Sequence, residues 1–459
     1  MKLTVLGGGG VRSPFLAKSI VAGAASIGLE KVVFMDNNEK KLRTFGAMAR
    51  QVAALLNPKI EFSLTTDPVD AITDADFVIT TLRVGEDAAR VADERIALNC
   101  GVLGQETTGA GGFAMAMRSI PALKTYCELV RQHARKGALI FNFTNPSGLV
   151  TQALRSEGFD NVYGICDAPS GFKSQLEKLY RVGPDDLSFT CFGLNHLSWF
   201  RDVKVRGRNV TDELVRDPRL YTETEMNVFD ENLVRLSGNL LLNEYLYFYY
   251  FREKAVESIL AAGKTRGETI LEINREMMRE LEGIDIERET ERAFDIFIHH
   301  HFQRENSYMA IESKKERHVR TAPTLNQFIG TPDGGGYAGV ALNFVKARHT
   351  GREIEMVLSV PNQGAIEGLN PEDVVEISCR IDRRGATPVH IGRVPEMQMN
   401  LIRTVKFFEK TAAQAIADRS IDKAVIALTA HPLVNSYSVA TRLVQDYLAA
   451  HRPYIGSWS

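Results

Sequence analysis

Cys166 and His196 are the side chains whose types and setting first suggest chemistry. Each lies in a short phrase, Gly164-Ile165-Cys166-Asp167-Ala168-Pro169 and Gly193-Leu194-Asn195-His196, and each phrase follows a stretch that reads as a strand. Thiolate and imidazole are borderline-soft ligands for a transition-metal ion. Strand ends opening on one crevice of a parallel sheet would bring them together, and two protein ligands leave an ion open positions for a chelating substrate. Taken singly, a cysteine is more often a buried apolar residue and a histidine a hydrogen-bonded core group, so spacing alone leaves the pair open. Asp167 reads as a general acid, as a partner that orients a ligand, or as an N-cap before Pro169. Thr144-Asn145-Pro146-Ser147 offers an amide to a sugar hydroxyl or a turn before a helix. Gly104 to Gly112 reads as a flexible polar surface loop. Tyr245, Tyr247, Tyr249 and Tyr250 crowd one aromatic stretch that reads as core or interface; a tyrosine beside a cation could act as a base.

A second chemical feature stands far upstream. Gly7-Gly8-Gly9-Gly10-Val11-Arg12-Ser13 follows the apolar run Lys2–Leu6 and opens a helix. Small residues there let the backbone approach a pyrophosphate, and the helix N-terminus attracts its charge. Arg12 stands where the usual fingerprint has its third glycine. Asp36, at the end of the next strand, suits two ribose hydroxyls and would repel a 2′-phosphate, which favours NAD over NADP.

The elements that must position these groups alternate. Strands are predicted at Lys2–Leu6, Val32–Met35, Ile60–Leu64, Ala75–Thr81, Leu139–Asn142 and Val162–Ile165, with helices between them, the pattern of a Rossmann-like, doubly wound parallel sheet. After His196 the pattern changes to a C-terminal α+β part with many helices. It comprises an exposed strand over Ser198–Val205, helices around 233–262, 267–282 and 287–312, a glycine-rich loop over 330–339, strands at 353–360 and 374–381, and a helical end from 396 to 450. The whole reads as an α/β chain divided near residue 195, with 1–195 binding the dinucleotide and 196–459 completing the site.

Composition sets outer limits. The chain has 459 residues, 44% hydrophobic and 24% charged, as in a globular protein. A formal net charge of -2 gives no general attraction to nucleic acid or to a membrane surface. The five cysteines, Cys100, Cys127, Cys166, Cys191 and Cys379, form no disulfide framework. With no signal-like segment, they point to a cytoplasmic protein with reduced thiols.

Taken in order, these phrases resemble glycoside hydrolase family 4 over nearly the whole chain. The resemblance is carried by the glycine turn, Leu82-Arg83-Val84-Gly85, Gly104-Gln105-Glu106-Thr107, Phe143-Thr144-Asn145-Pro146-Ser147-Gly148, Cys166-Asp167-Ala168-Pro169 and Gly193-Leu194-Asn195-His196. It continues through Tyr245-Leu246, Val360-Pro361-Asn362-Gln363-Gly364-Ala365-Ile366 and Ala430-His431-Pro432-Leu433-Val434. It implies tightly bound NAD, held by Gly7, Gly9, Gly10, Val11, Arg12 and Asp36. It also implies Mn²⁺ or another divalent ion on Cys166 and His196. The implied reaction oxidises the sugar at C3, removes the C2 proton with Tyr245 as base (the role could slip to Tyr247 or Tyr249), eliminates the aglycone, adds water and reduces C3 again. Arg83, Glu106, Asn145 and Asn195 would line the sugar pocket, and Arg266 would meet a 6-phosphate. The start of the second part, Leu197-Ser198-Trp199, resembles the branch acting on 6-phospho-β-glucosides. Asp167 resembles the 6-phospho-α-glucoside branch, where it would serve as acid. Other branches act on α-galactosides or α-glucuronides. The family often forms dimers or tetramers, with which an exposed aromatic stretch at 241–250 is compatible. Two rivals remain at this level: a metal-free hydroxy-acid dehydrogenase, and a sensor that binds NAD or a sugar phosphate without turnover.

Overall fold

The computed structural model describes residues 1–242, 244–314, 319–332 and 336–459. The first half supplies six strands: β1 (Lys2–Leu6), β2 (Lys31–Met35), β3 (Glu61–Thr65), β4 (Phe77–Thr80), β5 (Leu139–Asn142) and β6 (Val162–Gly164). They pair in parallel in the order β3-β2-β1-β4-β5-β6, the arrangement of a dinucleotide-binding sheet. Central strands such as β4 are buried along their whole length because helices cover both faces.

The second half first adds a small antiparallel sheet. β7 (Leu187–Leu194) turns directly into β8 (Leu197–Val205), and β9 (Arg208–Asn209) and β10 (Leu240–Leu242) both pair with β8. Leu194 pairs with Leu197, leaving Asn195 and His196 as the hairpin turn. The exposed strand expected at 198–205 is instead a core strand at its start, for Ser198, Trp199 and Phe200 are wholly buried. Burial of such a large side chain contributes about 1.5–3 kcal/mol.

The chain then returns to the first sheet. β11 (Ile354–Pro361), β12 (Val374–Asp382) and β13 (Gly385–Pro388) extend it antiparallel beyond β6, through Ser359 opposite Gly164. Among the described residues, nine strands thus form one mixed sheet. Helices Glu396–Asp418, Ile421–Ala430 and Tyr437–Ile455 pack as an outer layer on helices of the first half, Gly109–His133 among them.

Three expectations need correction. The helix foreseen around 233–262 is broken into Glu231–Ser237, β10, Leu246–Tyr250 and Arg252–Ala262, because the apolar run Leu240–Leu242 pairs with β8 rather than coiling. The glycine-rich loop over 330–339 is helical up to Gly330 and again from Gly336; residues 333–335 lie outside the described residues. Gly104–Gly112 is no surface loop: Gln105 to Thr108 are buried, and Gly109 begins a helix running to His133. No helix among the described residues is long and apolar enough to cross a membrane.

Candidate active site

A cavity of about 1210 Å³ opens where the parallel strands end. The turn after β1 lines it with Gly7, Gly9, Gly10, Val11 and Arg12, and β2 delivers Asp36 beside them. Gly9 N donates to Asp36 Oδ2 at 2.9 Å, and Asn38 N donates to Oδ1 at 2.9 Å. A Cβ on Gly9 would stand 3.0 Å from that same oxygen, so the backbone here is bare because it must approach closely. Arg12 occupies the N-cap position of the helix Ser13–Ala24 without a side-chain cap, and its half-exposed guanidinium pairs with Glu305 at 3.5 Å. It points into the cavity rather than against the sheet, which explains why a glycine is dispensable there. The bare turn, helix N-terminus and acidic strand end together fit a dinucleotide.

Cys166 follows β6, and His196 reaches it from the hairpin tip of the other sheet. The expectation that both sit at parallel strand ends holds for Cys166 only. Cys166 Sγ and His196 Nε2 are 3.8 Å apart. Bond lengths of about 2.3 Å to sulfur and 2.0–2.1 Å to nitrogen on one tetrahedral ion give about 3.6 Å, so the two donors fit a shared metal. Burial holds the imidazole down to about 4, which keeps its lone pair free. Burial pushes the thiol well above its usual range, with Glu376 and Asp167 acting in the same sense. A bound cation is what would make it a thiolate. Among the described residues no group of three or more His, Cys, Asp or Glu forms a further metal cluster.

Tyr245 stacks on His196 with ring centroids 4.2 Å apart. Of the clustered tyrosines it alone lines the cavity. Tyr247 stacks on Phe251, and the Tyr249 hydroxyl meets Thr108 Oγ1 at 2.6 Å. Tyr245, Tyr247 and Phe248 are buried, so the aromatic stretch is not the exposed surface expected of it. Burial and then Glu106 raise the Tyr245 phenol, against hydrogen bonds with Tyr308 and Thr107 and the charge of Arg90. Protein groups alone therefore do not make it a base; a cation beside it would act in that direction. Asp167 sits at the N-cap of the helix Ala168–Tyr180 but gives no capping bond, and its carboxyl lines the cavity. Burial raises it from its ordinary value despite Arg12, a shift in the direction that suits an acid.

The remaining predicted residues line the same cavity. Arg83 and Arg90 grip Glu106 from both sides, Arg90 Nη1 at 3.0 Å from Oε1 and Arg83 Nη1 on Oε2. Burial opposes the charge on Glu106, but the two guanidiniums hold it far below the usual range. Asn145 and Asn195 line the cavity, and Asn195 Nδ2 donates to Glu376 Oε2 at 2.8 Å. Arg266 is buried at the first turn of the helix Arg266–Glu280, donating to Ser307 Oγ and, at 2.6 Å, to the Arg304 carbonyl. That burial rules out a merely solvated helix charge.

Sequence reasoning missed Arg90, Arg304 and Glu376. Burial and the neighbouring Arg12 and Arg83 pull the Arg304 guanidinium down to about 9. A guanidinium keeps its proton in a protein, so this depression expresses an unmet demand for negative charge. No motif marks Arg304. Glu376 could have been found as the one charged residue within the first six residues of β12, which are otherwise uncharged and all buried.

Comparison with known proteins agrees with this arrangement. Residues 2–182 match the model for the family 4 glycosyl hydrolases, and residues 191–434 match that for the family 4 glycosyl hydrolase C-terminal domain. The chain is 29% identical to a 6-phospho-β-glucosidase of Escherichia coli strain K12, over 100% of this chain and 97% of the relative. The 6-phospho-β-glucosidase of Thermotoga maritima, solved with manganese, NAD⁺ and glucose-6-phosphate, superposes with a TM-score of 0.81 at 25% identity over 99% of both chains. A 6-phospho-α-glucosidase from gut microorganisms, solved with NAD and glucose-6-phosphate, gives 0.83 at 25% identity over 100% of both.

Proposed function

This chain belongs to family 4 of the glycosyl hydrolases, and from that premise we propose that it hydrolyses 6-phospho-β-glucosides in the cavity beside Cys166 and His196. Bound NAD would supply a hydride acceptor and donor for the sugar, and a divalent ion, manganese in the Thermotoga maritima relative, would supply a Lewis acid for its oxygens. Cys166 and His196 hold the ion. Gly7, Gly9, Gly10, Val11, Arg12 and Asp36 hold the dinucleotide. Tyr245 receives the C2 proton at its phenolic oxygen, and Asp167 gives a proton to the departing glycosidic oxygen. Arg83, Glu106, Asn145 and Asn195 orient the sugar hydroxyls, and Arg266 meets the 6-phosphate with its forked donors.

One observation carries this reading: sulfur and imidazole nitrogen converge at 3.8 Å with a buried tyrosine stacked on the imidazole. A hydroxy-acid dehydrogenase or a sensor has no use for a carbon base beside a metal pair. The test is release of nitrophenol from 4-nitrophenyl 6-phospho-β-glucoside with NAD and Mn²⁺. Chelation abolishes turnover, Cys166→Ser lowers it about 10³-fold, and solvent deuterium enters the product at C2. Undiminished turnover after chelation overturns the mechanism.

A second reading, hydrolysis of 6-phospho-α-glucosides, is supported by Asp167, whose carboxyl gives no capping bond, and by the likeness to the 6-phospho-α-glucosidase from gut microorganisms. The α-anomer of the same nitrophenyl substrate separates the two. We further propose a division near residue 195, a homodimer or homotetramer in solution, and a cytoplasmic location, where a phosphorylated glycoside would be met.

A further inference from the structure

Metal-bound histidines usually have their second ring nitrogen held by a carboxylate or carbonyl. Here, among the described residues, the one hydrogen-bonding contact of the His196 ring is Cys166. The imidazole is aimed through its backbone instead. His196 stands at φ 62°, a left-handed conformation that a residue with a side chain keeps only where its surroundings hold it. Gly193, at φ 139°, lets the hairpin close: a Cβ there would lie 2.3 Å from the Leu197 carbonyl oxygen.

What holds the turn is a buried acid on the other sheet. Glu376, 2% exposed, projects from β12 between apolar neighbours. Its Oε2 accepts from Asn195 Nδ2 at 2.8 Å, and its Oε1 accepts from Ser198 Oγ at 3.1 Å. Those two residues flank His196 in the chain. A buried carboxyl without such partners would be strongly destabilising, so its place in an apolar strand needs a reason.

Building on the metal-pair reading above, we propose that Glu376 is a positioning residue for that pair: it fixes Asn195 and Ser198 and thereby aims His196 at the ion it would share with Cys166. It touches neither substrate nor cofactor and acts through the hairpin.

The test titrates purified enzyme with Mn²⁺, following free Mn²⁺ by electron paramagnetic resonance, and records the thiolate-to-cobalt absorption of Co²⁺-loaded protein. Glu376→Ala weakens Mn²⁺ binding by about 10–100-fold and shifts the cobalt band. Glu376→Gln, which keeps an acceptor for Asn195, returns affinity to within about threefold of the unaltered enzyme. Ser198→Ala, which deletes one bond and leaves the acid in place, weakens binding by about threefold and stands as the deciding variant should Glu376→Ala fail to fold. NAD affinity stays unchanged throughout. Mn²⁺ affinity within twofold in both alanine variants, with an unshifted cobalt band, overturns the proposal while leaving the metal reading intact. A parallel fall in NAD affinity overturns it in favour of general destabilisation. Failure of the unaltered enzyme to bind Mn²⁺ overturns the metal reading and this inference with it.

Discussion

The dinucleotide turn and the sugar-phosphate pocket share one cavity but are assembled differently. The turn is a run of neighbours, residues 7–12, closed by one carboxylate from the adjacent strand. Its working parts are main-chain N–H groups, so its limits are set by where a Cβ would go. The pocket instead draws Arg83, Arg90, Glu106, Arg266 and Arg304 from distant segments. Its working parts are buried charges, so its limits are set by whether each finds a counter-charge. Steric changes in the turn should therefore touch the cofactor alone, and charge changes in the pocket should touch the sugar alone.

The largest effect is expected where neither description suffices. Tyr245→Phe should lower kcat by about 10²–10⁴-fold while binding of NAD and Mn²⁺, measured calorimetrically, stays as it was. Arg266→Met should raise the KM for the phosphorylated substrate by about 10–100-fold with little change in kcat; an equal loss against the unphosphorylated glucoside would remove the phosphate from the argument. Gly9→Ala places a methyl 3.0 Å from the Asp36 carboxylate and should weaken NAD by about tenfold, because strain of a kcal/mol or more is added on binding. A matching loss of Mn²⁺ affinity would erase the division between the two regions. Tyr247→Phe should leave turnover within about twofold, as expected of a change outside the reacting groups.

Local features were readable in advance. The glycine turn, Asp36 and the parallel strands announce themselves through apolar runs and small residues that need no distant partner. Cys166 and His196 were found as residues, but His196 was given to a parallel strand end when it rides a hairpin. Its two-residue turn depends on the Leu194–Leu197 pairing, which spacing does not declare. The tyrosine cluster was read without its orientation: β10 interrupts the helix there and turns Tyr245 inward and Tyr247 away. Arg304 and Arg90 stayed invisible because a charged residue on a helix looks solvated until the fold buries it.

The antiparallel sheet carries a further consequence. Leu242 pairs with Ser198, two residues beyond His196 and three before Tyr245, so imidazole and phenol ride at the same end of one small platform. The sulfur belongs to the other, larger sheet. Glu376 bolts the platform to that larger sheet, so sulfur, imidazole and phenol share one register although they arrive from two separate layers.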